Sequence, residues 1–382
     1  MYTMKEIVNK GSRKLESTLT ESVEKTLYSK KVKGDNNDIL IVRLDGIGDY
    51  ILFRNFIEEL FKDNKEKGKL VLCGNILWKD LAEKLDAPFI REFIWVDVPK
   101  LHQASYRFAV YRKLQKAKCG TLLNPVYSRT ADGDKLALHS GVRRVIGYNG
   151  DEVNISHERK IENDKRYSEL VPSSQKNMFE FYRNKYFFEK VLGKELKIQK
   201  PSINSDSASS EEKKHILIFP GAGQEYRKWP SVHFAQLCKS ISEKYKLSII
   251  IGGSKSDSVS AKEIISKAGV SVTDNTGKSD LVDTIELIKK AALVIANDTG
   301  LMHLSVALNS PTICITNGNN YKRFCPYPDE LNATLKVVLP DEFENKINDK
   351  QGEEKLLGKE SHLDMGLIKP EKVFKVVKEI LG

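Results

Sequence analysis

Three short runs in this sequence combine small residues with charge in a way that suits chemistry. The first is Arg43-Leu44-Asp45-Gly46-Ile47-Gly48-Asp49. Its two glycines let backbone approach a ligand closely, and Asp49 supplies a carboxylate able to accept a proton. Aspartate at the start of a helix also serves as a cap, and the residues alone leave both roles open. The second run is Pro220-Gly221-Ala222-Gly223, with Arg227-Lys228-Trp229-Pro230 just beyond. Small residues after a strand, then two adjacent cations before a helix, suit a phosphate group; a basic loop tip is the plainer alternative. The third is Asn297-Asp298-Thr299-Gly300-Leu301-Met302-His303. It opens a helix, whose free N–H groups and dipole attract anions. Asp298 or Thr299 can equally cap that helix, and His303, one turn in, can be an ordinary core histidine.

Other features narrow the chemistry. The first run is not a full G-x-G-x-x-G, because Ile51 stands where the third glycine belongs. That counts against a dinucleotide-dependent oxidoreductase. Asp132-Gly133-Asp134 has the D-x-D form that can hold a divalent metal, yet no third carboxylate lies nearby. The spacing is common in turns, so no metal is expected. The five cysteines are odd in number and lack C-x-x-C spacing, which argues against disulfides or zinc and fits a reducing cytoplasm. The net charge of +10 favours an anionic partner, but no arginine-rich cluster interleaved with aromatics points to nucleic acid.

These loops need a frame to hold them. With 382 residues, 40% hydrophobic and 30% charged, the chain is long enough for two globular domains. Apolar runs at 39–42, 69–74, 93–96 and 120–124 alternate with helical patterns at 50–61, 77–85 and 106–117. Such runs mark strands buried on both faces of a parallel sheet. The aromatic stretch 177–192 is expected to be a packed helix closing the first domain. A serine-rich segment, Pro201 to Ser210, marks a boundary. The pattern then restarts, with strands at 215–219, 247–251, 293–296 and 311–315 and helices at 231–244, 281–291 and 301–308. A proline near its start opens a last helix at about 370. The fold class is therefore α/β, two doubly wound domains, with each charged loop beyond the carboxyl end of a strand, where open α/β sheets bind ligands. Residues 1–34 are polar and basic, and are expected to form an appended helix outside the core. No apolar stretch has the ~20 residues of a membrane span, and the N-terminus lacks the apolar run of a signal peptide.

Taken together, the loops resemble glycosyltransferase family 9, best known for the heptosyltransferases of lipopolysaccharide core assembly. The family's R-x-D-x-x-G-D is matched by Arg43, Asp45, Gly48 and Asp49. Its P-G-A/S loop and K/R-x-W-P are matched by Pro220-Gly221-Ala222 and Arg227-Lys228-Trp229-Pro230. Gly252-Gly253, Gly277-Lys278 and Arg323-Phe324 with Pro326-Tyr327 also fit. The most specific match is N-D-S/T-G-x-x-H-L, here Asn297 to Leu304.

The resemblance implies a GT-B fold, two Rossmann-like domains facing across a cleft. It divides the chain into a basic extension (1–34), an acceptor domain (35–200), a linker (201–214), a donor domain (215–366) and a C-terminal helix (367–382). It implies an inverting, metal-independent and cofactor-free transfer of a sugar, heptose from ADP-heptose in the first instance, onto lipopolysaccharide or another surface glycan. A different nucleotide sugar or acceptor is the alternative, as is a non-catalytic nucleotide-sugar or glycan-binding protein. Asp49 would be the general base. Arg227, Lys228 and the amides of Thr299 and Gly300 would hold the donor diphosphate, with Asp298 near the donor sugar. Asp257 would take the donor ribose, and Gly48, Gly221, Ala222, Gly253, Lys278 and His303 complete the donor set. The expected location is cytoplasmic. Lys5, Lys10, Arg13, Lys14, Lys25, Lys30, Lys31 and Lys33 suggest peripheral attachment to an anionic membrane surface.

Overall fold

The computed structural model describes residues 22–28, 31, 35–173, 178–203 and 213–382. Its frame is two six-stranded sheets, parallel throughout. The first contains β1 (Asp35–Arg43), β2 (Leu70–Asn75), β3 (Glu92–Val96), β4 (Cys119–Asn124), β5 (Arg144–Tyr148) and β6 (Glu169–Val171), in the order 3-2-1-4-5-6. The second contains β7 (His215–Phe219), β8 (Ser248–Ile251), β9 (Thr273–Asp274), β10 (Ala291–Asn297), β11 (Thr312–Ile315) and β12 (Leu335–Val338), in the order 12-11-10-7-8-9. Renumbered from β7, that is the same order. Each sheet thus reverses direction beside its first strand, between β1 and β4 and between β7 and β10. Ligands bind at such switch points. β2, β4, β7 and β11 are buried along their whole length, as sheets covered on both faces require.

In the first domain the helices are α1 (Ile47–Phe53), α2 (Asn55–Asn64), α3 (Lys79–Asp86), α4 (Ala104–Lys116), α5 (Ala131–Leu138), α6 (His157–Asp164) and α7 (Glu180–Leu192). The expected helix at 50–61 begins earlier, at Ile47, and is divided at Arg54, which keeps right-handed helical angles. Asp132-Gly133-Asp134, expected to be a turn, instead opens α5, capped by the Thr130 hydroxyl, which accepts from the Gly133 amide. The buried Asp134 carboxylate accepts hydrogen bonds from Tyr167 Oη at 2.7 Å and Asn163 Nδ2 at 2.9 Å. α7 closes the domain as expected, stacking Phe188 on Phe56 of α2.

The second domain has α8 (Ser231–Lys244), α9 (Ser258–Ala268), α10 (Leu281–Lys290), α11 (Gly300–Ala307), α12 (Asp341–Ile347), α13 (Lys350–Leu356) and α14 (Pro370–Leu381), the last packed on α8. The domains meet where α1 packs on α11 and α3 on α10. One apolar cluster runs across this contact, from Ile51 and Phe53 to Met302 and Leu304. Of the serine-rich segment, residues 204–210 lie outside the described residues. Ser202 is bound through its carbonyl to Arg54 and Asn55, and the Ile203 amide donates to Ala307 in the other domain.

The N-terminal segment departs from expectation. Most of it lies outside the described residues, but the π-helical turn Glu24–Tyr28 is part of the first domain's core. Glu24 is buried and accepts from Arg107 Nε at 2.6 Å, and Tyr28 stacks on Phe108. Among the eight cations suggested for membrane attachment, Lys31 is the one whose side chain is described. Its ammonium donates to the Val142 carbonyl at 2.7 Å.

Candidate active site at the domain contact

The Arg43–Asp49 loop is held from below. Asn75 Nδ2 donates to the Leu44 carbonyl at 2.9 Å, and Trp78 Nε1 to the Asp45 carbonyl at 3.1 Å. Trp78 is fully buried and stacks on Tyr50. Gly46, extended, is the N-cap of α1. Asp49 stands three residues into the helix and is not its cap, which removes the plainer reading of this residue.

Four charges surround Asp49. Arg43, buried, makes a two-pronged pair with Asp45, Nε to Oδ1 at 3.0 Å and Nη2 to Oδ2 at 2.9 Å. Its Nη1 donates to Asn184 of α7 at 2.7 Å. Glu180, the first residue of α7, lies 3.9 Å from Arg43 Nη2 and accepts from Arg323 Nε at 3.3 Å. Burial pushes the Asp49 carboxyl up to about 7; the like charge of Asp45 adds to this, against the pull of Arg43 and Arg323. Such a group gains and loses a proton in the neutral range, as a general base must. For Glu180, burial acts upward too, but Arg323, Arg183 and Arg43 together hold it below the usual range.

The facing wall belongs to α11. Thr299 is its N-cap and Gly300 its first residue. A Cβ on Gly48 would come within 2.7 Å of His303 Cδ2, and one on Gly300 within 2.9 Å of the Gly48 amide nitrogen. Both glycines are required by close approach of two helix starts, not by left-handed backbone. His303 is buried, with Nδ1 2.8 Å from Tyr327 Oη. Burial, aided by Arg227, pushes its pKa down to about 3, so it stays neutral.

The remaining expected residues fall into three groups. Arg227 does reach this site, but its Nη2 is engaged with Asp298, at 2.5 Å from the carbonyl and 2.8 Å from the carboxylate. Burial raises the Asp298 pKa and Arg227 opposes the rise. Asn297 fastens the Pro220 loop from above, donating to the Pro220 carbonyl and accepting from the Trp229 amide. A second group gathers at the ends of β7 and β8. Gly221 and Gly253 both lie against the Asp257 carboxylate, whose Oδ2 is taken up by Ser254. Ala222, beside Gly221, is half-buried. The third group is two lysines that already have partners within the second domain. Lys228 pairs with Glu225 at 2.7 Å, and Lys278, exposed, donates to the Asp274 carbonyl.

Glu180 was not foreseen, because it sits in an aromatic helix that reads as packing. An acid inside Met178-Phe179-Glu180-Phe181 was the available signal. In the sequence, Arg323 and Tyr327 stand in a motif that assigns them no role. Beside Asp49 opens a cavity of about 860 Å³ between the domains. Asp45, Asp49, Ser128 and Asp132 line it on one side, Arg323, Phe324 and Lys359 on the other. Among the described residues, no cluster of His, Cys, Asp or Glu could hold a metal ion. No helix there is long and apolar enough to cross a membrane.

Two parallel sheets of identical strand order, meeting at their switch-point loops around a cleft, define the GT-B architecture. Solved structures share it. The family 9 glycosyltransferase of Veillonella parvula aligns with a TM-score of 0.69 at 17% identity, over 92% of this chain and 99% of its own. The E. coli heptosyltransferase WaaC with ADP gives 0.67 at 14% identity, over 90% and 99%. The E. coli ADP-heptose lipopolysaccharide heptosyltransferase II gives 0.60 at 16%, over 90% and 98%. No curated protein matches the chain by sequence. The model of glycosyltransferase family 9 (heptosyltransferase) matches residues 139–353, more than half of the chain, and the chain belongs to that family. It is a glycosyltransferase. The matched segment contains the Pro220, Arg227, Gly253 and Asn297 loops; Arg43 to Asp49 lies upstream of it.

Proposed function

We propose that the enzyme transfers a sugar from a nucleoside-diphosphate donor, ADP-heptose in the first instance, to a hydroxyl of a lipopolysaccharide or other surface glycan, with inversion and without metal. The observation that carries this reading is the contact of Gly48 with Gly300, which sets a carboxylate with a near-neutral pKa against a helix start. The structural neighbours captured with ADP and with ADP-2-deoxy-2-fluoro heptose support an ADP-linked donor. In this mechanism the acceptor occupies the cavity, and its hydroxyl gives its proton to Asp49 as it attacks the anomeric carbon. The bond to the diphosphate breaks on the opposite face, which inverts the centre. Charge growing on the departing diphosphate is met by the Thr299 and Gly300 amides and by Arg227 and Lys228. Cations in those places do the work that a metal does in other phosphate sites. Asp257, Gly221, Ala222, Gly253 and Lys278 belong to the nucleoside end of the same site.

A donor screen that reads release of nucleoside diphosphate tests the proposal. ADP-heptose should be turned over, and turnover should survive EDTA. Failure with every nucleotide sugar would refute the donor assignment, and loss on chelation restored by manganese would refute metal independence. Peripheral attachment through the basic N-terminal segment belongs to the same reading. It requires salt-sensitive sedimentation with anionic vesicles, and is wrong if none occurs.

A further inference from the structure

Arg323 belongs to the second domain but spends its side chain in the first. Its Nη2 donates to Ser128 Oγ at 2.9 Å, and its Nε to Glu180 at 3.3 Å. The Glu180 amide donates back to the Arg323 carbonyl at 2.8 Å. The segment presenting it is held in an uncommon shape: Asn320 and Lys322 are both left-handed, at φ 52° and 59°. Lysine adopts that conformation at a cost, and such strain persists where surrounding contacts demand it. Those contacts are here: the Asn320 amide donates to the Lys359 carbonyl, and Lys322 pairs with Glu353.

The placement matters because of the charge count around Asp49. From its own loop and from β1 come Asp45 and Arg43, from α7 Glu180, and from the second domain Arg323. His303 of α11 lies against Gly48 but is neutral. Asp132, Lys359 and Glu360 line the same cavity further off. With Arg323 in place, the guanidiniums of Arg43 and Arg323 act on Asp49, and Arg183 acts with them on Glu180. Without it, Arg43 alone pulls against burial, Asp45 and Glu180, and Asp49 holds its proton more tightly.

We propose that Arg323 is a positioning residue for proton transfer: docked from the second domain onto Glu180 and Ser128, it supplies the positive charge that lets Asp49 stand as a carboxylate. The inference rests on reading Asp49 as the base. It makes the readiness of the first domain's base depend on a side chain of the second.

The test has two readouts. In Arg323→Gln the acid limb of the pH profile of kcat/KM should move up by about one pH unit, the low end for loss of one neighbouring opposite charge. Activity below the limb should therefore fall roughly tenfold and recover at high pH. Arg323→Lys, which keeps the charge, should leave the limb near its original place. A merely structural role would lower activity evenly at all pH and leave the limb unmoved, which would overturn the proposal. The second readout needs no turnover: the Asp49 carboxyl carbon, assigned in 13C-aspartate-labelled enzyme by its absence from Asp49→Asn, is titrated by NMR. An unchanged titration in Arg323→Gln also overturns the proposal. If Asp49→Asn retains turnover, the base reading fails, while the NMR titration still reports on Arg323 separately.

Discussion

Replacing Asp49 by asparagine removes one titrating proton and almost no volume. Asp49 is not the cap of α1, so the helix start loses no cap, only an acid in its first turn. The effect on chemistry should be large, a fall in turnover of ~10²–10⁴-fold, as for a lost general base. The effect on stability should have the opposite sign. In the folded protein the Asp49 carboxyl titrates at about 7, against 3.8 ordinarily. Folding therefore favours its protonated form. That contribution is fully present below about pH 4 and is lost as pH rises through 7. A tenfold change in proton affinity corresponds to about 1.4 kcal/mol, so the ionised carboxylate costs on the order of 2–4 kcal/mol above neutrality, allowing for water in the open cleft. The asparagine variant escapes that cost. It should unfold at higher denaturant than the parent at pH 8, with the difference shrinking towards pH 4.5. Urea unfolding at the two pH values, nucleotide affinity and turnover form the assay. Near-normal turnover in the folded variant refutes the catalytic role, and equal stability at pH 8 refutes the electrostatic account.

Two further substitutions test other contacts of the site. Arg227→Ala removes a charge-assisted hydrogen bond worth roughly 1.5–3 kcal/mol and should lower kcat/KM about ten- to a hundredfold. It also strips Asp298 of its partner, so Arg227→Ala with Asp298→Asn should melt above Arg227→Ala alone; a double variant no more stable than the single would deny the pair. Gly48→Ala places a methyl where His303 stands. It should lower turnover while each domain keeps its fold, and wild-type kinetics would show that the close approach is dispensable.

Much of the frame was legible because long apolar runs leave little choice. Strand 215–219 and helix 231–244 appear where the pattern places them. The region from 131 to 171 was not legible. α5 opens with two acids and a glycine, which look like a turn until the Thr130 cap is seen, and β6 has only three residues. The segment before residue 34 reads as polar surface, yet Glu24 is buried because Arg107, far along the chain, comes to it. The same limit applies at the site. Loops after strands announce themselves by composition. The pairings Arg227 with Asp298 and Arg323 with Glu180 join residues 71 and 143 positions apart, and no local spacing encodes them. Residue types carried the charge inventory, and only the folded chain shows which charges neutralise one another.

Between Asp49 and the start of α11, backbone meets backbone at Gly48 and Gly300, with the side chains of His303 and Ile47 packed beside the contact. Mechanically, such a contact would act as a fulcrum. If the two domains rock, the points that travel least are those beside the fulcrum, and under the proposed function those are the reacting groups. The points that travel most are at the far lips of the cavity, where under the proposed function the acceptor enters and leaves. A short lever arm at the chemistry and a long one at the mouth would let the cleft breathe without taking the catalytic geometry apart.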